Sequence, residues 1–567
     1  MPLLVNTRAA AQTSNPFNNT NPVRRYLLVG QGATLVEAEM LAAPRYARLR
    51  RLLLPQVSPR QADVLLVVGP INLRLRKALL RLSRQLAAPS QILEVGSTIG
   101  LPDPNQRLYS QTKRLEKFLP YVYTTLQDQW ITPIKIAEAL QSLPPPTAIT
   151  IVIDKQATEG PGDLIPLQAA QDREMATEDL TLSVGPLHPA VYGPLRLILT
   201  LDGEQVVEAR ADPGYAHRGL EKAAEGHSPA AIVGYGAALD GLAPLAGAVA
   251  VAQALEAIMM LPDAANLPKR AIYLRLIGLE LERIASHLFA TARLLRTLNL
   301  NGQAAQLLEE RAKVISALEI LMQPAENVPF SAYIVAGGVK NDLTSTAFRV
   351  LEEVMGSLRY WAEQQFAPPG LAQQVGRYAF ESRLKGLGLV NISTALEYSL
   401  SGPNLRACGI KLDGRKVITR TNNSNDISSV YQELGFESIV VTGGDAFSRY
   451  RQRIAEIAAS TGLVKKALKN LPSGPYQYKL ELDKLEPPFG IVPAEASSLV
   501  ESPRGLLEAH LALTLAPGLG LVVERLRLRT PSWSHYSLLP QLLVGERLDD
   551  ALVVINSLDI APDEAER

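Results

Sequence analysis

The chain has 567 residues, enough for several domains, and its 47% hydrophobic and 20% charged residues fit a globular protein with large cores. A single cysteine, Cys408, excludes an internal disulfide and any zinc or iron–sulfur centre built from several of the chain's own thiolates. The formal charge of +1 hides an asymmetry: residues 1–150 hold 18 Lys and Arg against 8 Asp and Glu, and the remainder is acidic. A basic domain facing an acidic one, or acidic partners, accounts for this balance. No aromatic-studded RNA-binding motif accompanies the basic residues, so no nucleic-acid partner is expected. The six histidines (His188, His217, His227, His287, His510 and His535) include no pair at an i, i+4 metal-ligand spacing, so no metal site is expected.

Residues 1–22 are polar and Asn-rich and read as a flexible arm, without the basic and apolar regions of a signal peptide. From 23 to 143 short apolar runs ending in glycine ("YLLVG", "ADVLLVVG", "QILEVGS") alternate with helical stretches such as "LRLRKALLRLSRQL". That alternation predicts a parallel α/β sheet, with Gly30, Gly69 and Gly96 at the carboxyl ends where such sheets bind ligands. The first loop is a poor nucleotide cradle. Gly30 and Gly32 are present, but the third glycine of a dinucleotide loop is Leu35. Arginines 48, 50 and 51 stand where a ribose-binding carboxylate belongs, and no Walker Gly-Lys-Ser/Thr occurs.

Residues 144–178 read as a connector. Residues 179–567 form the second domain. It opens with period-two alternation, "LTLSVGPLHPAVYGPLRLILTLDGEQVVEARADPGY", which predicts antiparallel strands. From Ser228 to about Gln365 the period is helical, with a long amphipathic helix at "RAIYLRLIGLELERIASHLFATARLLRTLNL", another at 303–322, and more at 343–365 and 445–470. "GLAPLAGAVAVAQALEAIMMLP" approaches membrane-span length but carries Gln253 and Glu256, and reads as a buried bundle helix. The segment 475–567 reads as strand and loop.

Two sets of motifs carry a resemblance. "VGQGATLVEAEMLAAPRYARLRRL", "SPRQADVLLVVGPINLRLRKALLRL" and "ILEVGSTIG" resemble the small, cluster-bearing subunit of respiratory complex I and of membrane-bound nickel–iron hydrogenases. "LSVGPLHPAVYGPLRLILTLDGEQVVEA", "GYAHRGLEKAAE", "LELERIASHL", "GGVKNDL", "SGPNLRACGIK" and "VVINSLDIAPDEAER" resemble, in order, the large, quinone-site subunit of the same systems. The resemblance implies a flavodoxin-like α/β small-subunit-like domain fused to an α+β large-subunit-like domain with a helical-bundle core.

The departures matter as much. The cluster cysteines of the small subunit correspond here to Gln31, Thr34 and Thr98, and neither nickel-binding Cys-x-x-Cys pair is present. The resemblance therefore implies loss of the iron–sulfur and nickel–iron centres. Its quinone-pocket positions correspond to His188, Tyr192, Asp240, Gly241 and Arg296, with Tyr192 replacing a histidine, Gly241 a tyrosine and Arg296 an acidic residue. His217, Arg218, Glu221 and Lys222 of the His-Arg-Gly-x-Glu-Lys motif are domain-interface candidates. Arg218 is expected to pair with Glu221 or Asp240, and His188 and His217 to be core histidines. The expected function is a redox-degenerate connecting subunit of a complex I-like membrane assembly, coupled to ion or proton translocation. It would lie peripherally on the cytoplasmic side, with membrane (antiporter-like) subunits and other soluble subunits as partners. One alternative is an oxidoreductase subunit that binds quinone with electrons from a partner. Another is a small-molecule-binding regulatory module.

Overall fold

The computed structural model describes residues 24–30, 53–55, 62–68, 73–83, 85–86, 91–95, 122–126, 133–143, 180–188, 190–259, 267–322, 333–376, 380–416, 427–478, 494–516 and 520–567. The arm (1–22), the connector (144–178) and the positions Gln31, Thr34, Gly69, Gly96 and Thr98 lie outside them.

The N-terminal unit is a five-stranded parallel sheet of β1 (Arg24–Gly30), β2 (Leu53–Pro55), β3 (Val64–Val68), β4 (Gln91–Val95) and β5 (Val122–Leu126), in the order β2-β1-β3-β4-β5. Its helices are α1 (Leu73–Ser83) and α2 (Pro133–Ser142). The central strand β3, "VLLVV", is buried along its whole length, as a strand covered on both faces requires. The glycine-terminated runs predict β1, β3 and β4. The edge strands β2 and β5 escape that reading. β2 spans three residues and ends in Pro55, which cannot donate to a ladder and is tolerated because it sits at an edge.

The second unit begins with the antiparallel sheet β6 (Leu180–Val184), β7 (Leu197–Asp202) and β8 (Gln205–Ala211), as the period-two pattern predicts. Its bundle is built from α3 (Pro244–Met259), α4 (Lys269–Thr297), α5 (Asn301–Met322), α6 (Ser345–Trp361) and α7 (Ala446–Lys469). A two-stranded ribbon, β9 (Ile334–Val335) and β10 (Gly338–Val339), interrupts the helices. Helix α4 is the axis of the bundle, buried from Ala271 to Leu295 and packed against α3, α5 and α7. Helix α3 is the apolar stretch that carries Gln253 and Glu256. It is buried on almost every side, and among the described residues no helix is long and apolar enough to cross a membrane. Gly236 lets the short helix before α3 press on it: a Cβ there would lie 2.4 Å from the Gly247 carbonyl oxygen.

The C-terminal part departs from the strand-and-loop expectation. An antiparallel sheet of β11 (Ala494–Glu501), β12 (Leu506–Ala516) and β13 (Gly520–Arg529) covers α3. Three helices follow: α8 (Pro531–Leu543), α9 (Leu548–Leu558) and α10 (Pro562–Ala565). Their local sequences mislead. Helix α8 carries Pro540 in its interior, and α9 contains the run "LVVI", which by composition reads as a strand. Tertiary packing of α9 on α4 and α7 decides its state.

Candidate functional site

The turn between β6 and β7, the C-terminal half of α4 and the end of α9 enclose a small cavity. Val191, Tyr192 and Leu195 line it from the turn, Ala290 and Arg293 from α4, and Asn556 and Asp559 from α9 and its cap. Its volume is about 10 Å³, room for one water molecule. Small-molecule pockets start at roughly 300 Å³.

Tyr192 is the central polar group. It is 5% exposed, its ring meets Phe289 edge-on at 5.6 Å, and the Arg293 guanidinium lies 6.0 Å from its ring centroid. Its hydroxyl is buried and makes no hydrogen bond to the described residues. Burial pushes the phenol well above its usual pKa, and the charges of Asp563 and Asp240 add to this. Tyr192 is therefore a neutral hydrogen-bond donor at any ordinary pH. His188 lies on the same turn, where its Nδ1 accepts from the Ala190 N–H at 3.2 Å. Burial and then the Arg293 charge lower its pKa, so its imidazole is held neutral.

Behind the cavity sits a buried charge cluster. Asp240 pairs with Arg504, from the turn between β11 and β12, and also accepts the Leu242 N–H at 2.9 Å. Arg504 donates through Nε to the Asp559 carbonyl at 3.1 Å. Asp559 caps α9 with φ 57° and ψ 55°, a left-handed conformation that few side chains tolerate and Asp tolerates better than most. One of its carboxylate oxygens, Oδ2, is buried and accepts no hydrogen bond; Arg504 Nε stands 3.6 Å away. Asp563 accepts from the Gly241 N–H at 3.2 Å, and Glu564 accepts from the Ser532 hydroxyl. Burial raises the pKa of Asp559 and Asp563, and raises that of Glu564 to about 8. One shell further, Glu282 accepts the N–H groups of Leu245 at 2.6 Å and Ala246 at 3.0 Å, which satisfies two of the open donors at the start of α3, and burial raises its carboxyl to about 8.

Of the sequence-derived pocket positions, only Tyr192 lines the cavity, with His188 on the same turn. Asp240 and Gly241 reach it indirectly, through Arg504 and Asp563. Arg296 does not: it is exposed in the last turn of α4, and the arginine at the cavity is Arg293, three residues earlier. The buried spacing of Phe289, Ala290 and Arg293 on α4 is the signal in the sequence that points inward. Asp559, Asp563, Glu564 and Arg504 are absent from the sequence-derived set. The first three lie in a stretch notable in sequence for its missing cysteines, and Arg504 lies in none of the family-like motifs.

The His-Arg-Gly-x-Glu-Lys motif grips the C-terminal segment. His217 Nδ1 bonds the Glu566 carbonyl at 2.8 Å. Arg218 donates to the Ala238, Leu239 and Asp563 carbonyls, and Glu221 accepts from the Leu528 N–H and from Arg567. Arg218 thus places its terminal nitrogens on backbone oxygens, with the charges of Asp563 and Asp240 facing it, and His217 is an exposed residue and not a core one. Lys222 pairs with Glu225 at the surface. Gly219, at φ 68°, makes the bend after Arg218 that lets the motif turn back.

Among the described residues no group of three or more His, Cys, Asp or Glu could hold a metal ion. The sole thiol, Cys408, is buried and donates to the Asn404 carbonyl at 3.3 Å, away from the cavity. A quinone ring does not fit a cavity the size of one water. The described groups can hold a proton, donate a hydrogen bond and fix a charge.

Residues 307–567 match the family model of the respiratory-chain NADH dehydrogenase 49 kDa subunit. The chain is 34% identical over 393 residues to an NADH-quinone oxidoreductase subunit of Geobacillus thermodenitrificans, across 69% of this chain and 100% of that relative. It is 30% identical over 413 residues to an NAD(P)H-quinone oxidoreductase subunit of a Synechococcus species, across 70% of this chain and 99% of the relative. A chain in the structure of the membrane-bound sulfane sulfur reductase, an archaeal respiratory membrane complex, aligns with a TM-score of 0.59 at 28% identity, over 70% of this chain and 100% of that one. The chain belongs to the family of the 49 kDa subunit of respiratory-chain NADH dehydrogenases.

Proposed function

We propose that this chain is a connecting subunit of a complex I-like membrane assembly that carries no iron–sulfur or nickel–iron centre of its own. In this reading a small-subunit-like domain (23–143) and a large-subunit-like domain (179–567) are fused through the connector 144–178. The parallel order β2-β1-β3-β4-β5 is that of flavodoxin-like sheets and supports the first half of the fusion. The observation that carries the loss of redox chemistry is the cavity. Its walls hold Arg293, Tyr192 and Asp559, its volume is about 10 Å³, and the one cysteine of the chain is elsewhere.

The assembly would place this subunit peripherally, on the cytoplasmic face, against membrane subunits that move an ion or a proton. Its own contribution is a rigid, charge-rich body that transmits movement between soluble and membrane parts. Equilibrium dialysis of a short-chain quinone against the purified assembly tests this. The reading predicts no binding assignable to this chain. Stoichiometric binding that Tyr192→Phe weakens would favour the second reading, a quinone oxidoreductase that receives its electrons from a partner. The unpartnered Tyr192 hydroxyl is the observation that keeps that second reading in play, because it could donate to a quinone oxygen.

A further inference from the structure

The cavity, the orphaned polar atoms and the charge cluster are three separate observations that converge on one place. Two oxygens there are buried without a hydrogen-bond partner, Tyr192 Oη and Asp559 Oδ2, and both residues line the same cavity. The Tyr192 side chain is more than nine-tenths buried. A buried polar group with no partner costs roughly 1–3 kcal/mol, and two such groups facing one water-sized space are what a structural water resolves. Tyr192 supplies a donor and Asp559 an acceptor, and Arg293 and Asn556 complete the polar wall.

We propose that Tyr192 and Asp559 hold one water molecule between them, and that this water and the Asp559 carboxyl form a site for one exchangeable proton. The step is a simple protonation. The carboxylate takes a proton delivered by the water, the water regains one from solvent, and no electron moves.

The surrounding charges favour such a site. Arg293 faces it from α4, Arg504 from the turn between β11 and β12, and Arg453 from α7. Asp240, before α3, and Asp563, on α10, face it with the opposite sign, Glu564, also on α10, faces Arg504, and His188 stands on the turn. Arg504 pairs through Nη1 with Asp240, while its Nε bonds the Asp559 carbonyl and stands 3.6 Å from Asp559 Oδ2, too far for a hydrogen bond. Burial raises the carboxyl of Asp559 above its ordinary range, with Arg504 and Arg453 opposing. The left-handed backbone of Asp559 is held by the Arg504 bond to its carbonyl, which keeps the carboxyl at the cavity. The site thus differs from an ordinary acidic cluster in having a fixed donor opposite the carboxyl.

Infrared difference spectroscopy on the full-length chain, in H2O and in D2O, tests this with Asp559→Asn and Tyr192→Phe. The expected result, across a pH series, is a protonated-carboxyl band that shifts in D2O, disappears in Asp559→Asn and moves in Tyr192→Phe as its hydrogen bond changes. A band untouched by Asp559→Asn in a folded variant overturns the assignment, and Asp563→Asn and Glu564→Gln then show which carboxyl produces it. A Tyr192→Phe band identical to wild type removes the bridging water. If an added short-chain quinone moves the Tyr192-dependent band, the cavity opens to a larger ligand and the one-water site is wrong. If it does not, the site stands whether or not the assembly reduces quinone elsewhere.

Discussion

Two buried charge clusters lie side by side in this molecule, and they are built on opposite terms. The first joins α4, α7, β11 and the 411–416 loop. Arg406 meets Glu456 at 2.9 Å, Glu501 at 2.7 Å and Asp413 at 3.5 Å; Arg415 meets Asp413 at 2.8 Å and Glu280 at 3.4 Å. Every oxygen of its four carboxylates has a donor. Tyr431 and Ser460 complete Glu280, Gln452 and His287 complete Glu456, and the Gly414 N–H completes Glu501. The second cluster, around Asp240, Arg504, Asp559 and Tyr192, leaves two oxygens without partners beside a cavity. A network whose acceptors are all satisfied rigidifies a core, whereas a partly satisfied one costs stability and marks where something else is held. The comparison separates scaffold from site within one bundle.

The largest effect should come from breaking the first network, whose carboxylate oxygens are all met although Arg406 Nη2 and His287 Nδ1 are not. Arg406→Met strands Glu456 and Glu501 in the core and is expected to cost about 3–5 kcal/mol, read by urea denaturation of the purified chain. A loss below about 1 kcal/mol would show that the network is not the scaffold. Glu282→Gln keeps the shape of the side chain but turns a donor toward the N–H groups of Leu245 and Ala246. It should cost about 2 kcal/mol, also by denaturation.

His287 in the first cluster and Glu564 in the second should respond to pH with opposite sign. Burial lowers His287 to about 4 from an ordinary 6.5, so the unfolded chain binds its proton first. The stability it contributes is present above about pH 6.5 and lost as pH falls toward 4. Glu456 and Glu280, held below the usual carboxylate range by their arginines, carry this loss to lower pH. Glu564 is raised to about 8 from 4.5, so its contribution is full below pH 4.5 and is lost as pH rises through about 8. Glu564→Gln should lessen that falling limb by on the order of 1 kcal/mol per pH unit, leave the part carried by Glu282, which burial also raises to about 8, and leave the acid limb of His287 in place. Chemical denaturation at closely spaced pH values reads both. The smallest effect belongs to Tyr192→Phe, which removes a hydroxyl with no hydrogen-bond partner among the described residues and should change stability by less than about 1 kcal/mol.

How much of this is legible in the sequence follows from what each signal measures. Apolar runs ending in glycine point to β1, β3 and β4, because a strand buried on both faces must be continuously apolar. Helical periodicity places α4 within one residue at its start and three at its end, since its burial is so extensive. Helices α8 and α9 escape it, because Pro540 and the run of β-branched residues in α9 oppose the state that tertiary packing imposes. At the site, the turn motif picks out Tyr192 and His188. It selects Arg296 over Arg293, because linear matching through two arginines three residues apart carries no information about which one faces inward. Arg504 and Asp559 come together from positions 55 residues apart through backbone turns. No local pattern in either stretch announces that meeting.

The central claim is that the chain has no redox centre of its own. Iron, acid-labile sulfide and nickel content of the intact purified assembly, with an electron paramagnetic resonance spectrum of the reduced sample, tests it most directly. The account predicts that every cluster and every nickel is accounted for by other subunits. A cluster signal assigned to this chain would contradict it, and would mean that a partner lends thiolates at its surface.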